Sequence, residues 1–136
     1  MRHRNKHTVI CLPNVNMEAR LIPNPESPFA LYDDMWGYGN GYVGVHKEHP
    51  LYGVHYNEYN DKGIYLSVHG GVTFTDHLEC KVSEEDENWL DEDYWWIGFD
   101  TRHSGDTRGE EDYDYCIESL FDLACQIATF TKIQGL

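Results

Sequence analysis

Apolar and polar positions follow a regular period in only a few stretches, and those stretches predict the elements. Ile64-Tyr65-Leu66-Ser67-Val68-His69 alternates strictly, with Ile64, Leu66 and Val68 on one face and Tyr65, Ser67 and His69 on the other. That is the period of a half-buried strand. Tyr94-Trp95-Trp96-Ile97-Gly98-Phe99-Asp100 alternates too, setting Trp95, Ile97 and Phe99 against Trp96, Gly98 and Asp100. Shorter strands are expected at 8–12, on β-branched content, at 42–46, and at Val72-Thr73-Phe74-Thr75 after Gly70-Gly71. Pro13, Pro23, Pro25 and Pro28 predict broken structure over 13–28, and the glycines of 29–41 predict a loop with a turn at Asn40-Gly41. Within 114–132, Ile117, Leu120, Phe121, Ala124, Ile127 and Ala128 recur at three- and four-residue steps, with Leu123 and Phe130 widening the stripe. An apolar stripe of that width needs a sheet to cover. The expectation is one α+β domain over 1–136: a mostly antiparallel β-sheet with a C-terminal α-helix packed on one face. A loose arm over 1–7 and an acidic loop over 79–93 complete it.

A length of 136 residues suits one core, and 40% hydrophobic with 14% aromatic residues excludes a disordered chain. No apolar run approaches the roughly 18–20 residues of a membrane helix, so no membrane association is expected. The short apolar stretch after the basic arm is cut by Pro13, so no secretory signal is expected either. Cys11, Cys80, Cys116 and Cys125 form no CxxC pair, which argues against a zinc ribbon and fits a reducing cytoplasm. A disulfide between two distant cysteines stays open. Cys116 and Cys125 read as small buried hydrophobes of the helix.

The net charge is −14. Binding a phosphate backbone needs clustered Lys and Arg, so direct nucleic-acid binding is disfavoured. The charge is uneven, with acidic residues clustered in two blocks, one over 79–93 and one made of Asp106, Glu110, Glu111, Asp112 and Asp114. They read either as solvated faces or as a negative surface aimed at a basic host protein.

Three segments carry candidate chemistry. His69-Gly70-Gly71-Val72-Thr73 sets an imidazole beside backbone without Cβ cover, where a ligand can approach or N–H groups can receive an anion. The plainer alternative is a glycine turn. Asp100-Thr101-Arg102-His103-Ser104-Gly105-Asp106 spaces Asp100, His103 and Asp106 three apart at a strand exit. With His69 these four are candidate ligands for a divalent metal (Zn²⁺, Mn²⁺ or Mg²⁺). His69, Asp100 and His103 are also candidate catalytic acid–base groups. The alternative is local bonding: Asp100 in an Asx-turn, His103 exposed, Asp106 a cap. Third, Lys47-Glu48-His49-Pro50-Leu51-Tyr52-Gly53 is a rigid turn or a loop over the same pocket, with Lys47 or His49 on an anion and Tyr52 stacked on a ring. The candidate ligand-binding set is Lys47, Tyr52, Gly70, Gly71, Thr73 and Arg102.

Taken in order, His49-Pro50-Leu51-Tyr52-Gly53, Val68-His69-Gly70-Gly71-Val72-Thr73-Phe74 and Gly98-Phe99-Asp100 with His103 and Gly105-Asp106 resemble a family of small bacteriophage and prophage proteins. The resemblance spans about residues 42–132 and names no enzyme class. It implies a viral accessory role in the host cytosol, such as sequestering a host signalling molecule, and a shared site at His69, Asp100, His103 and Asp106. Three functions follow as expectations: a pocket for a small, nucleotide-type ligand; a metal-dependent or His–Asp acid–base hydrolase of a phosphoester or related bond, using the same pocket; and an acidic inhibitor of a host protein.

Overall fold

The computed structural model describes residues 8–12, 17–24, 36–77, 94–103 and 105–134, with backbone alone at 11 and 131–134. The predicted arm over 1–7, the acidic loop over 79–93, Pro13, Pro25 and Pro28 lie outside the described residues, as do the side chains of Cys11 and Cys80.

Five strands form one sheet: β1 Thr8–Leu12, β2 Met17–Pro23, β3 Gly39–Val45, β4 Phe74–Asp76 and β5 Trp95–Phe99. Their order across the sheet is β1-β2-β3-β5-β4, and every neighbouring pair is antiparallel. Among the described residues one α-helix, α1 (Tyr113–Gln134), follows. Register aligns Ala19, Val43, Ile97 and Thr75 in one row and Leu21, Gly41 and Phe99 in the next. These rows form the inner face, whose apolar members make one core with Leu120, Leu123, Ala124 and Ile127 of α1. The helix lies so close that a Cβ on Gly41 would meet Phe99 at 2.4 Å and Leu120 at 3.1 Å. Each fully buried aliphatic side chain in this layer contributes roughly 1.5–3 kcal/mol. The expected α+β architecture is what the chain forms, and among the described residues no helix is long and apolar enough to cross a membrane.

Four local expectations are corrected. Residues 17–23 form a central strand, because Met17, Ala19 and Leu21 alternate inward and Pro23 sits at the strand's last position. Asn40-Gly41 is no turn: both residues lie inside β3, paired with Ile22 and Leu21. Residues 64–69 keep their alternation, from buried Ile64 to Tyr65 at 77% exposure, but among the described residues they join no sheet ladder. The segment is instead tied to the helix. Ser67 N–H donates to Gln126 Oε1 at 2.8 Å, and Gln126 Nε2 donates to the Ser67 carbonyl at 2.6 Å. A side-chain amide offers the same donor–acceptor pair as a neighbouring strand and satisfies the backbone equally well. On α1, Phe121 is 50% exposed and Cys125 is exposed, whereas Cys116 is buried, so the inner stripe is narrower than the apolar pattern. Trp96 is also fully buried although it faces away from Trp95, so β5 is covered on both sides.

Candidate functional site

The site forms where β5 ends. Thr101 is fully buried there: its hydroxyl donates to the Gly39 carbonyl at 2.8 Å and accepts from Asn24 Nδ2 at 3.2 Å. Asn40 Oδ1 accepts from Thr101 N–H at 3.1 Å, and the Gly37 N–H donates to the Thr101 carbonyl at 2.8 Å. This polar cluster binds the β5 exit to the ends of β2 and β3, fixing the residues just beyond it. Nothing in the sequence showed that Asn24, Asn40 and Thr101 act together, because the network that unites them joins positions up to 77 residues apart.

Beyond that anchor, Asp100 makes the expected Asx-turn, accepting from Arg102 N–H at 3.1 Å, and its second oxygen accepts from the Thr73 hydroxyl at 3.1 Å. The loop closes on itself through His103 N–H, which donates to Asp106 Oδ2 at 2.9 Å, and Asp106 N–H, which donates to the His103 carbonyl at 2.9 Å. The His69-Gly70-Gly71 turn then docks on this loop. His69 Nε2 lies 2.8 Å from Asp106 Oδ1, and the His69 and His103 ring centroids are 5.8 Å apart. Gly70 is required twice over at this junction. Its φ is +69°, and a Cβ there would stand 2.5 Å from His103 Cε1. The glycine that suggested close approach of a ligand admits the second imidazole.

The result is an alternating chain of acids and imidazoles. His103 Nδ1 lies 3.4 Å from Asp100 Oδ1 and 3.2 Å from Asp106 Oδ2, Asp106 reaches His69 Nε2, and His69 Nδ1 lies 2.7 Å from the Tyr115 hydroxyl. Burial pushes the Asp106 carboxyl upward, but the His103 backbone N–H, the His69 imidazole and the His103 ring outweigh it and hold Asp106 below the ordinary carboxylate range. Burial, reinforced by the Glu111 and Asp106 carboxylates, holds the Tyr115 phenol above its usual value, so it stays protonated at neutral pH. One nitrogen of His69, one of His103 and one oxygen of Asp106 all lie within 4.8 Å of one another. Asp106 is buried, with 7% of its side chain exposed, while His103 is 38% exposed, so the cluster opens to solvent on the His103 side.

Among the candidate ligands, His69, His103 and Asp106 converge, and Asp100 stands behind His103. Thr73 and Gly70 support the cluster through Asp100 and His103. The remaining candidates are placed elsewhere. The Arg102 guanidinium donates from Nε to Asn24 Oδ1 at 2.7 Å and lies 4.4 Å over the Trp36 ring. Lys47 and Tyr52 follow the Val45 end of β3, which pairs with Trp95, whereas Asp100 follows the Phe99 end of β5, opposite Gly41. Register thus starts the two loops from opposite ends of the β3–β5 pair. Tyr52 packs on His77 and Trp95 instead. An open cavity of about 340 Å³ is lined by Tyr56, Tyr59, Ile64, Tyr65, Ser67 and Val72, none of them in the expected ligand-binding set. Part of the second acidic block is consumed locally: Asp112 Oδ1 caps α1 through Tyr115 N–H at 2.9 Å, and Glu111 Oε1 accepts from Thr107 N–H at 2.7 Å.

Within the cluster itself, sequence reading missed Tyr115. Its position three residues after the capping Asp112 was readable, but the reach of its hydroxyl to His69, 46 residues away, was not. No protein-family model, curated protein or solved structure matches the chain.

Proposed function

We propose that the protein binds a divalent transition-metal ion through His69, His103 and Asp106 and uses it in hydrolysis of a small phosphoester or related bond. One observation carries the reading: three ligand atoms of suitable type, from two distant segments, converge within 4.8 Å. Two imidazoles and one carboxylate suit Zn²⁺ and neighbouring ions and disfavour Mg²⁺, which prefers oxygen ligands. The net charge of −14 raises the local concentration of cations and repels polyanions, so a substrate of low negative charge is favoured. A three-ligand ion of this kind leaves a position for water and lowers its pKa to about 7. Asp100, 3.4 Å from His103 Nδ1 and outside the ligand group, adds a further negative charge beside the site.

Calorimetric titration of chelator-treated protein with Zn²⁺, Mn²⁺, Fe²⁺ and Mg²⁺ tests the proposal. One equivalent of Zn²⁺ or Fe²⁺ bound, lost in His103→Ala, together with metal-dependent cleavage of a chromogenic phosphodiester or ester, is the expected result. Absence of binding across the four ions would overturn it.

A second reading, capture of a small ligand by a phage-type accessory protein, is favoured by the aromatic-lined cavity. Its walls include Ser67 and Val72, which flank the His69-Gly70-Gly71 turn. Thermal-shift screening of nucleotides with Tyr65→Ala as control tests it. A shift abolished by that variant supports ligand capture at this cavity.

A further inference from the structure

Tyr115 is placed by two constraints that do not depend on any ligand. Its backbone N–H is held by the Asp112 cap at 2.9 Å, and its ring meets the His69 ring edge-on, with centroids 5.4 Å apart and planes at 89°. Its hydroxyl is 2.7 Å from His69 Nδ1, while Nε2 of the same ring faces the Asp106 carboxylate at 2.8 Å. A carboxylate only accepts, so with the metal absent Nε2 carries the proton of neutral His69, and Nδ1 accepts from the Tyr115 O–H. A metal on Nε2 needs that nitrogen's lone pair. The neutral ring then carries its proton on Nδ1, which must find an acceptor. A phenol oxygen can both donate and accept, so Tyr115 serves His69 in both tautomers without moving.

We propose that Tyr115 is the positioning residue of the metal centre, holding His69 with Nε2 toward the metal and reversing its hydrogen bond with Nδ1 when the metal binds. The proposal rests on the metal centre described above. In proton terms it is neutral: the hydrogen that leaves Nε2 is matched by one gained at Nδ1, and no net proton is taken up or released by the ring. The neighbouring imidazole instead presents Nδ1 to carboxylates, Asp106 at 3.2 Å and Asp100 at 3.4 Å, which lack a hydrogen to donate and support one direction only. Metal-binding histidines characteristically donate their second ring N–H to such a partner, and loss of the partner weakens binding roughly 10–100-fold.

The test joins two measurements on the full chain. Long-range ¹H–¹⁵N NMR of the histidine rings, with His69 assigned through His69→Gln, reads the tautomer without and with one equivalent of Zn²⁺. Calorimetry compares Zn²⁺ affinity of the wild type and Tyr115→Phe. Expected are protonated Nε2 without zinc, protonated Nδ1 with zinc, and a roughly 10–100-fold weaker Kd in Tyr115→Phe with stoichiometry retained. Zinc binding with no tautomer change, or with equal affinity in the variant, overturns the role of Tyr115 and leaves the metal centre standing. No zinc binding by the wild type overturns both. The wild-type NMR keeps the test valid should the variant fold poorly.

Discussion

His49 and His69 both open glycine-containing turns that follow strand-like stretches, yet the fold treats them oppositely. His49 is 8% exposed and spends both ring nitrogens on backbone: Nε2 donates to the Ile127 carbonyl at 3.0 Å and Nδ1 accepts from Leu51 N–H at 3.0 Å. His69 spends both of its nitrogens on side chains that can themselves titrate or turn, Asp106 and Tyr115. Both histidines touch α1, at residues twelve positions and so about 18 Å apart along its axis. The first staples a turn to the helix; the second is a chemically addressable group on a rigid support. A histidine's role is thus decided by its partners. Backbone groups lock one protonation state, while carboxylates and hydroxyls leave it adjustable.

The comparison breaks most sharply at the metal. His69→Ala or Asp106→Asn is expected to abolish Zn²⁺ binding in calorimetry, whereas His49→Ala leaves it at wild-type affinity. Loss of zinc binding in His49→Ala would dissolve the distinction between the two turns. On stability the order reverses. His49→Ala removes two buried hydrogen bonds and packing, and urea unfolding is expected to register a loss of about 2–4 kcal/mol.

The glycines sharpen the same contrast. Gly53, with φ +81° and no atom near its absent Cβ, should lose only about 1 kcal/mol on substitution by alanine. Gly70→Ala adds the contact with His103 at 2.5 Å to the same backbone strain, so it should cost about 2–3 kcal/mol and weaken zinc binding as well. Equal losses in urea unfolding of the two variants would contradict the close approach at Gly70.

Acid gives a smaller effect. Burial holds His49 below the usual histidine value, against the hydrogen bond to Ile127, so the folded chain resists protonating it. The unfolded chain then takes up the proton first, and stability falls as pH drops through about 6.5, the unfolded value. Asp106, held low, acts in another window: its contribution is complete above about pH 3.9 and is lost only as pH falls through its depressed folded value. Urea unfolding at pH 7.5 and 5.5 should therefore show a smaller acid-induced loss in His49→Gln than in the wild type. Least of all should Lys47→Ala matter, since this exposed side chain is far from the cluster: about 0.5 kcal/mol or less, with zinc affinity unchanged.

The α+β class, the helix expected over 114–132 and strand β5 were legible in the sequence because each depends on a periodic pattern that burial enforces locally, and β1 was legible in its β-branched residues. Strand β2 was missed: the surrounding prolines predicted broken structure and hid the alternation of Met17, Ala19 and Leu21. Residues 64–69 show the limit: alternation specifies which side chains are buried, not whether the backbone pairs with a strand or with Gln126. The same limit applies to the site.

By itself the sequence determined which residues could be ligands, that the chain would fold as a sheet covered by a helix, and that its strong negative charge favours cations. Only the tertiary structure decided that His69 meets His103 and Asp106, that Asp100 stands behind them, that Lys47 and Tyr52 lie at the other end of the sheet, and that Tyr115 completes the array. Periodicity is a property of neighbours along the chain. Convergence of ligand atoms depends on strand register and on how a helix settles over a sheet, and those are fixed by contacts between residues far apart in sequence.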